Sequence, residues 1–355
     1  MRVAARCWNV CGLDPASLDG AAFASAVAEW LGEGAAASDV ASVGLVEVVE
    51  LKPGTVVRES FVSPEASALV AARLAAWRAA LLAVLEATHE LACTESLVGL
   101  ALFVFTARVS AYDIAPARTC RFRTGFGGLL GNKGAVAASL AAARGADGEA
   151  RTLCVVHAHL ASDLDMLDQR NAEYAAIVGA AADASILSLP AALGDDDALD
   201  VLNHDVVVWQ GDLNYRLGST KAPEAGLGAF LASFGPAARE AARDGDARDD
   251  AAVREALAAG DWAALAARDQ LDAAIARGDA FVGFREAPKM FPPTYKLVRG
   301  TAEYKANRRP AWCDRVLWKA KRPSDVVACE NYASVATCVL SDHHPVSADL
   351  AVEFH

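Results

Sequence analysis

Short apolar runs bounded by turn residues recur along the chain, at 41–49, 98–105, 135–140, 152–157, 205–209 and 315–318. Runs of this length between breakers fit buried strands. Between them lie alanine-rich stretches of helical character, at 20–31, 64–91, 164–182 and 222–278. Ser63, Pro64 and Glu65 form a helix-start signal for the second of these. Strands and helices mix without a strict strand–helix–strand rhythm, which predicts packed sheets flanked by helices. Two segments stand apart. Gly194-Asp195-Asp196-Asp197 reads as a solvated acidic turn, and 236–250, rich in Ala, Arg and Asp, as a loop or a surface helix. No internal repeat and no Gly/Ser linker divides the sequence, so residues 1–355 are read as one domain.

Composition narrows the class. The chain is 54% hydrophobic and 22% charged, with ample material for a core. Its formal charge of −12 argues against a duplex-binding protein. The charge is uneven: residues 285–322 hold eleven cationic and three acidic side chains. Any single one of these reads as a solvated-face charge, but the stretch as a whole points to one surface meant for an anion. Eight cysteines include no CxxC pair, which disfavours a structural zinc site and favours buried free thiols in a reducing compartment. Arg2 and Arg6 are followed by Trp8 and Asn9 rather than by the apolar stretch of a signal peptide. The apolar run 97–106 is too short to span a bilayer. A cytoplasmic protein with at most peripheral membrane contact is expected.

The chemistry concentrates in three segments. In Val208-Trp209-Gln210-Gly211-Asp212-Leu213-Asn214-Tyr215-Arg216 an apolar strand runs into Asp212, with Asn214 two residues on. Positions two apart in a strand share a face, so the pair is expected to project together from the strand end. A carboxylate there accepts a proton from water and an amide orients it. Taken alone, an Asp-Asn turn after a buried strand is the plainer reading. Ser341-Asp342-His343-His344-Pro345-Val346 places two imidazoles beside polar groups between apolar runs. Pro310-Ala311-Trp312-Cys313-Asp314-Arg315 sets an acid and a base before another strand. Asp314 is placed to hold the His343 ring in one tautomer and to favour its protonated form. A hydrolytic centre of this kind is commonly completed by a divalent metal, and magnesium favours oxygen ligands. Asn9 and Glu47 are early candidates, although from Glu47 alone the polar face of a strand is the plainer reading.

Together these segments resemble the inositol polyphosphate 5-phosphatases. The family's Trp-Leu-Gly-Asp-Leu-Asn-Tyr-Arg appears as residues 209–216 with Gln210 for Leu, and Pro-Ala-Trp-Cys-Asp-Arg and Ser-Asp-His-x-Pro-Val are intact at 310–315 and 341–346. Gly131-Asn132-Lys133-Gly134, His159-Leu160-Ala161, Arg170-Asn171 with Tyr174, and Phe291-Pro292-Pro293-Thr294-Tyr295-Lys296 match further segments, all in family order. The resemblance implies an α/β fold, the DNase I-like four-layer sandwich of two packed β-sheets flanked by α-helices. It implies Mg2+-dependent removal of the 5-phosphate from phosphoinositide lipids or soluble inositol polyphosphates by direct attack of water. By position, it makes Glu47 the metal carboxylate with Asn9 beside the metal. Asp212 activates the water and Asn214 orients it. His343, supported by Asp314, contacts the scissile phosphate, with Asp342 in the same network and His159 helping to hold that phosphate. Tyr295 and Lys296 match residues that grip a 4-phosphate. Lys133 and Arg216 serve the anionic pocket or, equally, their own loops. The chain departs from the pattern at Val46, Ala158 and Ala306, the last standing where a lysine is common, and Lys305 and Arg309 are the neighbours expected to replace it.

Two other classes compete. A nucleic-acid phosphodiesterase of the same fold would use the same Asp, Asn and His, but the Pro-Thr-Tyr-Lys segment and the acidic balance count against it. A non-enzymatic phosphoinositide-binding adaptor would not need Glu47, Asp212, Asn214, Asp314 and His343 all intact.

Overall fold

A computed structural model of the protein describes residues 1–50, 64–125, 130–145, 148–179, 199–218 and 236–355. The strands are β1 (Arg2–Asn9), β2 (Val40–Val46), β3 (His89–Leu97), β4 (Leu100–Ala107), β5 (Tyr112–Gly125), β6 (Leu130–Arg144), β7 (Arg151–His159), β8 (Val206–Asp212), β9 (Asp314–Ala320), β10 (Val326–Ser334) and β11 (Val346–Glu353). The helices are α1 (Gly20–Ala36), α2 (Pro64–Leu85), α3 (Leu167–Ile177), α4 (Pro236–Ala259), α5 (Trp262–Ala266) and α6 (Gln270–Arg277). One sheet has the order β10-β11-β1-β2-β4-β3, the other β5-β6-β7-β8-β9. Each is antiparallel except for one central parallel pair, β1–β2 in the first and β7–β8 in the second.

Period-two alternation builds the layers. Val3, Ala5, Leu153, Val155, Val206 and Val208 face inward and form the core between the sheets. Ala4, Trp8, Ala41 and Val43 face outward under α1 and α2, where Trp8 meets Trp30 and Trp77 edge-on at ring separations of 5.6 and 5.7 Å. Trp209, Tyr174 and Phe281 form the corresponding layer outside the second sheet. The result is the expected four-layer sandwich.

Several boundaries differ from expectation. The helix expected over 64–91 ends at Leu85, and 89–97 becomes edge strand β3. Pairing with β4 and the burial of His89, bonded to the Ser38 carbonyl at 3.0 Å, outweigh local helix propensity there. The strand expected over 98–105 starts two residues later, as β4, because Val98, with φ 47°, and Gly99 form the turn from β3. Helix 222–278 resolves, over its described part, into α4, α5 and α6, and the segment from Pro236 onward is helical rather than loop. The acidic turn at 194–197 lies outside the described residues. Among the described residues one helical stretch, Ala68–Leu85, is long and apolar enough by length and composition to cross a membrane, with mean hydropathy 1.8 over 18 residues. It belongs to α2, whose Trp77, Leu81 and Leu85 pack onto the first sheet.

Candidate active site

The two parallel pairs end at the same place. Their inward-facing residues change from apolar to polar along the strands: Val155, His157, His159 on β7 and Val208, Gln210, Asp212 on β8. Gly211 makes the last step possible. Its φ is 139°, and a Cβ there would lie 2.1 Å from the Ala158 carbonyl oxygen, so only glycine lets β8 close on β7 immediately before Asp212. On the other sheet β2 stops at Val46, and Glu47 adopts a left-handed φ of 55° that turns its carboxylate toward the same point. Side chains held in such sparsely populated backbone conformations cluster at functional sites.

Asp212 is the hub. Its Oδ2 accepts from Asn9 Nδ2 at 2.9 Å and lies 3.6 Å from His159 Nε2 and 4.0 Å from His343 Nε2. Its Oδ1 accepts from the Asn214 amide at 3.2 Å. His343 Nδ1 donates to Asp314 Oδ2 at 2.8 Å, and Thr294 Oγ1 donates to the same oxygen at 2.6 Å. The Lys133 ammonium contacts His159 Nε2. Lys296 Nζ pairs with Asp342 at 2.9 Å.

These neighbours drive the two histidines apart. Burial lowers His159 well below the ordinary imidazole value, and the Lys133 cation pushes it further, so it is neutral. Burial also acts on His343, but Asp314, Asp212 and Asp342 outweigh it and raise its pKa to about 9, so it is an imidazolium at neutral pH. Burial would raise Asp212, yet the His343 cation above all, with Lys133 and the Asn9 hydrogen bond, brings it down to about 2 and keeps it ionised. Burial holds Glu47 above the usual carboxylate range. Its Oε1 has Asn9 Nδ2 at 3.5 Å and His159 at 3.9 Å, both too long for strong hydrogen bonds. A half-buried carboxylate so weakly satisfied, next to a second carboxylate, fits a hard divalent cation. Asp212, Asp314 and His343 also lie close enough to share an ion. However, the ring Nδ1 is committed to Asp314 and the imidazolium repels cations, so the trio is better described as a hydrogen-bonded His343–Asp314 pair facing Asp212 at 4.0 Å.

The structure brings Asn9, Glu47, Lys133, His159, Asp212, Asn214, Asp314 and His343 together, with Tyr295, Lys296, Asp342 and Arg216 along one side. The Tyr295 ring lies 4.7 Å from that of His343 and under the Arg216 guanidinium at 4.5 Å. Two expectations need correction, for Asn214 and Arg309, and the placing of Asn9 is sharpened. Asn214 does not share a strand face with Asp212: the strand has ended, Asn214 has φ 57°, and it bonds back onto Asp212 in a turn while its Nδ2 donates to Leu160 O at 3.1 Å. Asn9 turns its NH2 toward both carboxylates and its oxygen to the Cys11 amide at 3.0 Å, so it bridges Glu47 and Asp212 and offers a cation no oxygen in this orientation. Arg309 does not replace the missing lysine. It donates to Leu217 O at 3.0 Å and lies 4.0 Å from Asp249 and Asp250 of α4. Lys305 does sit beside Lys296, its amide donating to the Lys296 carbonyl at 2.9 Å. Arg216 donates to Asn214 Oδ1 at 2.6 Å and therefore fixes that amide.

Sequence reading passed over three supporting residues. Thr294 orients Asp314, Ser341 Oγ donates to the Asn9 carbonyl at 2.7 Å, and Trp8 Nε1 donates to the His343 carbonyl at 3.1 Å. Thr294 and Ser341 lie inside the quoted segments, which was the available signal. A cleft of about 470 Å³ opens beside Arg216, lined also by Asp163, Asp250, Ala306 and Arg308. A larger cleft, about 600 Å³, lies at the opposite end around Met1, Arg144 and Arg151 and contains none of the site residues.

A sandwich of this topology with an Asp–Asn–His–carboxylate centre at the strand ends defines a class. The chain belongs to the endonuclease/exonuclease/phosphatase family 2, whose model matches residues 7–231 and 242–349. Among curated proteins it is similar to synaptojanin of Caenorhabditis elegans, 29% identical over 89% of this chain and 24% of that protein. It is likewise similar to phosphatidylinositol 4,5-bisphosphate 5-phosphatase A of Mus musculus, 30% identical over 74% and 23%. The chain thus spans about a quarter of the length of either relative. Among solved structures, it superposes on the inositol polyphosphate 5-phosphatase domain of spSynaptojanin, in complex with inositol (1,4)-bisphosphate and calcium ion. The TM-score is 0.66 at 24% identity, covering 99% of this chain and 84% of that one. Cimex nitrophorin in a ferrous NO complex shares the fold at TM-score 0.61 and 18% identity. The fold alone therefore does not decide the chemistry.

Proposed function

We propose that this chain is a Mg2+-dependent phosphatase that removes the 5-phosphate from phosphoinositide lipids or soluble inositol polyphosphates by direct attack of water. The observation that carries this reading is the opposed charge of the groups around Asp212: a neutral His159, a cationic His343 and an ionised Asp212 converge on one point. Ionised Asp212 fixes the attacking water and takes its proton as the bond to phosphorus forms, and Asn214, locked by Arg216, sets the approach. The His343 imidazolium, held by Asp314, which Thr294 orients, faces the charge that develops on the phosphoryl oxygens, and Lys133 stands against His159. Glu47, bridged to Asp212 by Asn9, would hold the metal, which when bound would neutralise and polarise the phosphate. Tyr295, Lys296 and Lys305 border the site and suit a second phosphate of the same ring. The substrates in the names of its relatives, phosphatidylinositol 4,5-bisphosphate and inositol phosphates, fit this division between a reacting and a gripped phosphate. A lipid substrate would bring the protein to the cytoplasmic membrane surface only transiently.

The test is phosphate release from a 5-phosphorylated inositol phosphate and the corresponding lipid, with and without Mg2+, beside cleavage of abasic-site DNA. Metal-dependent release from either inositol substrate and no DNA cleavage is the expected result. DNA cleavage without phosphate release would replace this reading with that of a nucleic-acid phosphodiesterase.

A further inference from the structure

One rung below the site the two sheets are joined by hydrogen bonds rather than by apolar packing alone. His157 and Gln210 are register partners on the parallel strands β7 and β8, both fully buried and both facing the other sheet. His157 Nε2 bonds to the Leu45 carbonyl of β2 at 3.0 Å, and Gln210 Nε2 donates to the Arg6 carbonyl of β1 at 3.0 Å. β1 and β2 are themselves paired in parallel. The four strands so joined deliver the site: His159 and Asp212 follow two residues after His157 and Gln210, Glu47 two after Leu45, and Asn9 three after Arg6. Glu47 and Asn9 therefore come from one sheet, and His159 and Asp212 from the other. Within the site the hydrogen bond from Asn9 to Asp212 crosses between them.

Stability alone does not account for polar residues here. The next inward positions down the same strands are Val155 and Val208, in the apolar core. Each polar side chain satisfies one atom and leaves another, His157 Nδ1 and Gln210 Oε1, with no hydrogen-bond partner among the described residues. Buried groups satisfied in part are poor stabilisers compared with apolar side chains of similar size. Their directional bonds do, however, fix the offset between two sheets that apolar contacts would let slide. The β2 strand makes room for this: a Cβ on Gly44 would lie 2.3–2.5 Å from atoms of the His157 ring. Burial lowers His157 to about 4, so the ring stays neutral and its bond is not titrated near neutrality.

We propose that His157 and Gln210 are positioning residues that set β1 and β2 against β7 and β8, so that Glu47 and Asn9 of one sheet meet Asp212 and His159 of the other and the Glu47 carboxylate is placed for a metal ion. The proposal rests on the functional reading above only for the identity of that metal. Groups that orient ligands without touching the metal change metal affinity or activity by about 10- to 100-fold when removed.

The experiment uses Gln210→Leu and His157→Leu, singly and together, with thermal melting, calorimetric titration of Mg2+ and phosphate release. Gln210→Leu is expected to melt no lower than wild type by more than a few degrees, to bind Mg2+ about tenfold more weakly, and to lose kcat with little change in KM. The double variant is expected to lose less than the product of the two single losses, because both bonds set one offset. Wild-type Mg2+ affinity in a folded Gln210→Leu protein would overturn the proposal. So would activity loss that tracks the unfolded fraction in every variant, or a wild type that binds no Mg2+. A wild type that binds Mg2+ but releases no phosphate would sink the functional reading while leaving this one to be judged by the titration.

Discussion

Asp314 and Arg315 are neighbours at the start of β9, on opposite faces, and each anchors a buried cluster of charges. Around Arg315 the contacts are short and complete. Its Nη1 reaches both oxygens of Asp269 at 3.1 and 2.8 Å, its Nε reaches Glu286 at 2.7 Å, and Tyr332 donates to the same carboxylate at 2.6 Å. Lys289 adds a second cation, 3.0 Å from Asp272 and 3.4 Å from Asp269. Asp269 also caps α6 through the Leu271 amide at 2.8 Å. Around Asp314 the bonds to His343 and Thr294 are short, but the charged groups beyond are held apart: His159 and His343 lie 3.6 and 4.0 Å from Asp212, and His159 lies 3.9 Å from Glu47. One oxygen each of Asp314 and Asp342 has no hydrogen-bond partner among the described residues. A cluster that has closed on itself holds the fold together. A cluster held open at such separations has capacity for a phosphate and a cation, and its perturbed titrations follow from that.

Substitutions should separate the two clusters cleanly. Asp212→Asn, which keeps size and cannot take the proton, is expected to lower turnover by about 10²–10⁴-fold with no loss of melting temperature. Near-wild-type phosphate release would refute its role. Arg315→Ala acts on the other side: it strands two buried carboxylates and is expected to cost about 3–5 kcal/mol of stability, read from urea melts. A loss below about 1 kcal/mol would mean the network is dispensable. Lys296→Ala removes a charge-assisted contact worth roughly 1.5–3 kcal/mol, so kcat/KM on 4-phosphorylated substrates should fall by about one to two orders of magnitude. On a substrate lacking that phosphate the loss should be much smaller, and an equal loss on both would assign Lys296 to its Asp342 pair instead. Glu47→Gln should raise the Mg2+ concentration needed for half-maximal rate by at least about tenfold, as a direct ligand should matter no less than an orienting one. An unchanged requirement would remove Glu47 from the metal site.

The smallest effect is in pH. His343 has its pKa raised to about 9, so its cation is present below that value and lost above it. Rate should therefore hold through neutrality and fall about tenfold per unit well above pH 9, since the required form is the protonated one. Asp212, lowered to about 2, sets no limit in the neutral range. Asp314→Asn removes the anion that sustains the imidazolium and should move the alkaline limb toward lower pH. A limb that stays in place would detach it from His343.

Much of the site could be read from the sequence because its residues sit in short contiguous segments at strand ends: Asp212 closes one apolar run, Asp314 opens another, and His343 precedes Pro345. The same segments carried the fold through the resemblance. What could not be read depends on long-range geometry. The Asn214 turn requires a left-handed backbone that strand alternation does not foresee. The fate of Arg309 is decided by α4, some sixty residues earlier in the chain. Edge strands β3, β5 and β10 are only partly buried, so their mixed polar sequences give weak apolar runs. The role of His157 and Gln210 is invisible without the facing sheet, although polar residues in otherwise apolar strands were a signal.

The pairing of β1 with β11 joins the first strand to the last, from Arg2 opposite Ala351 to Cys7 opposite Val346. During synthesis Asn9 leaves the ribosome hundreds of residues before His343, an interval of tens of seconds at about 5–20 residues per second. Throughout that time β1 lacks a neighbour on one side, and the imidazolium that completes the centre has not been made. The centre is thus complete only once the closing strand has been made and paired, and a nascent chain that stops short of His343 would carry Asn9, Glu47 and Asp212 without the imidazolium they meet in the folded protein.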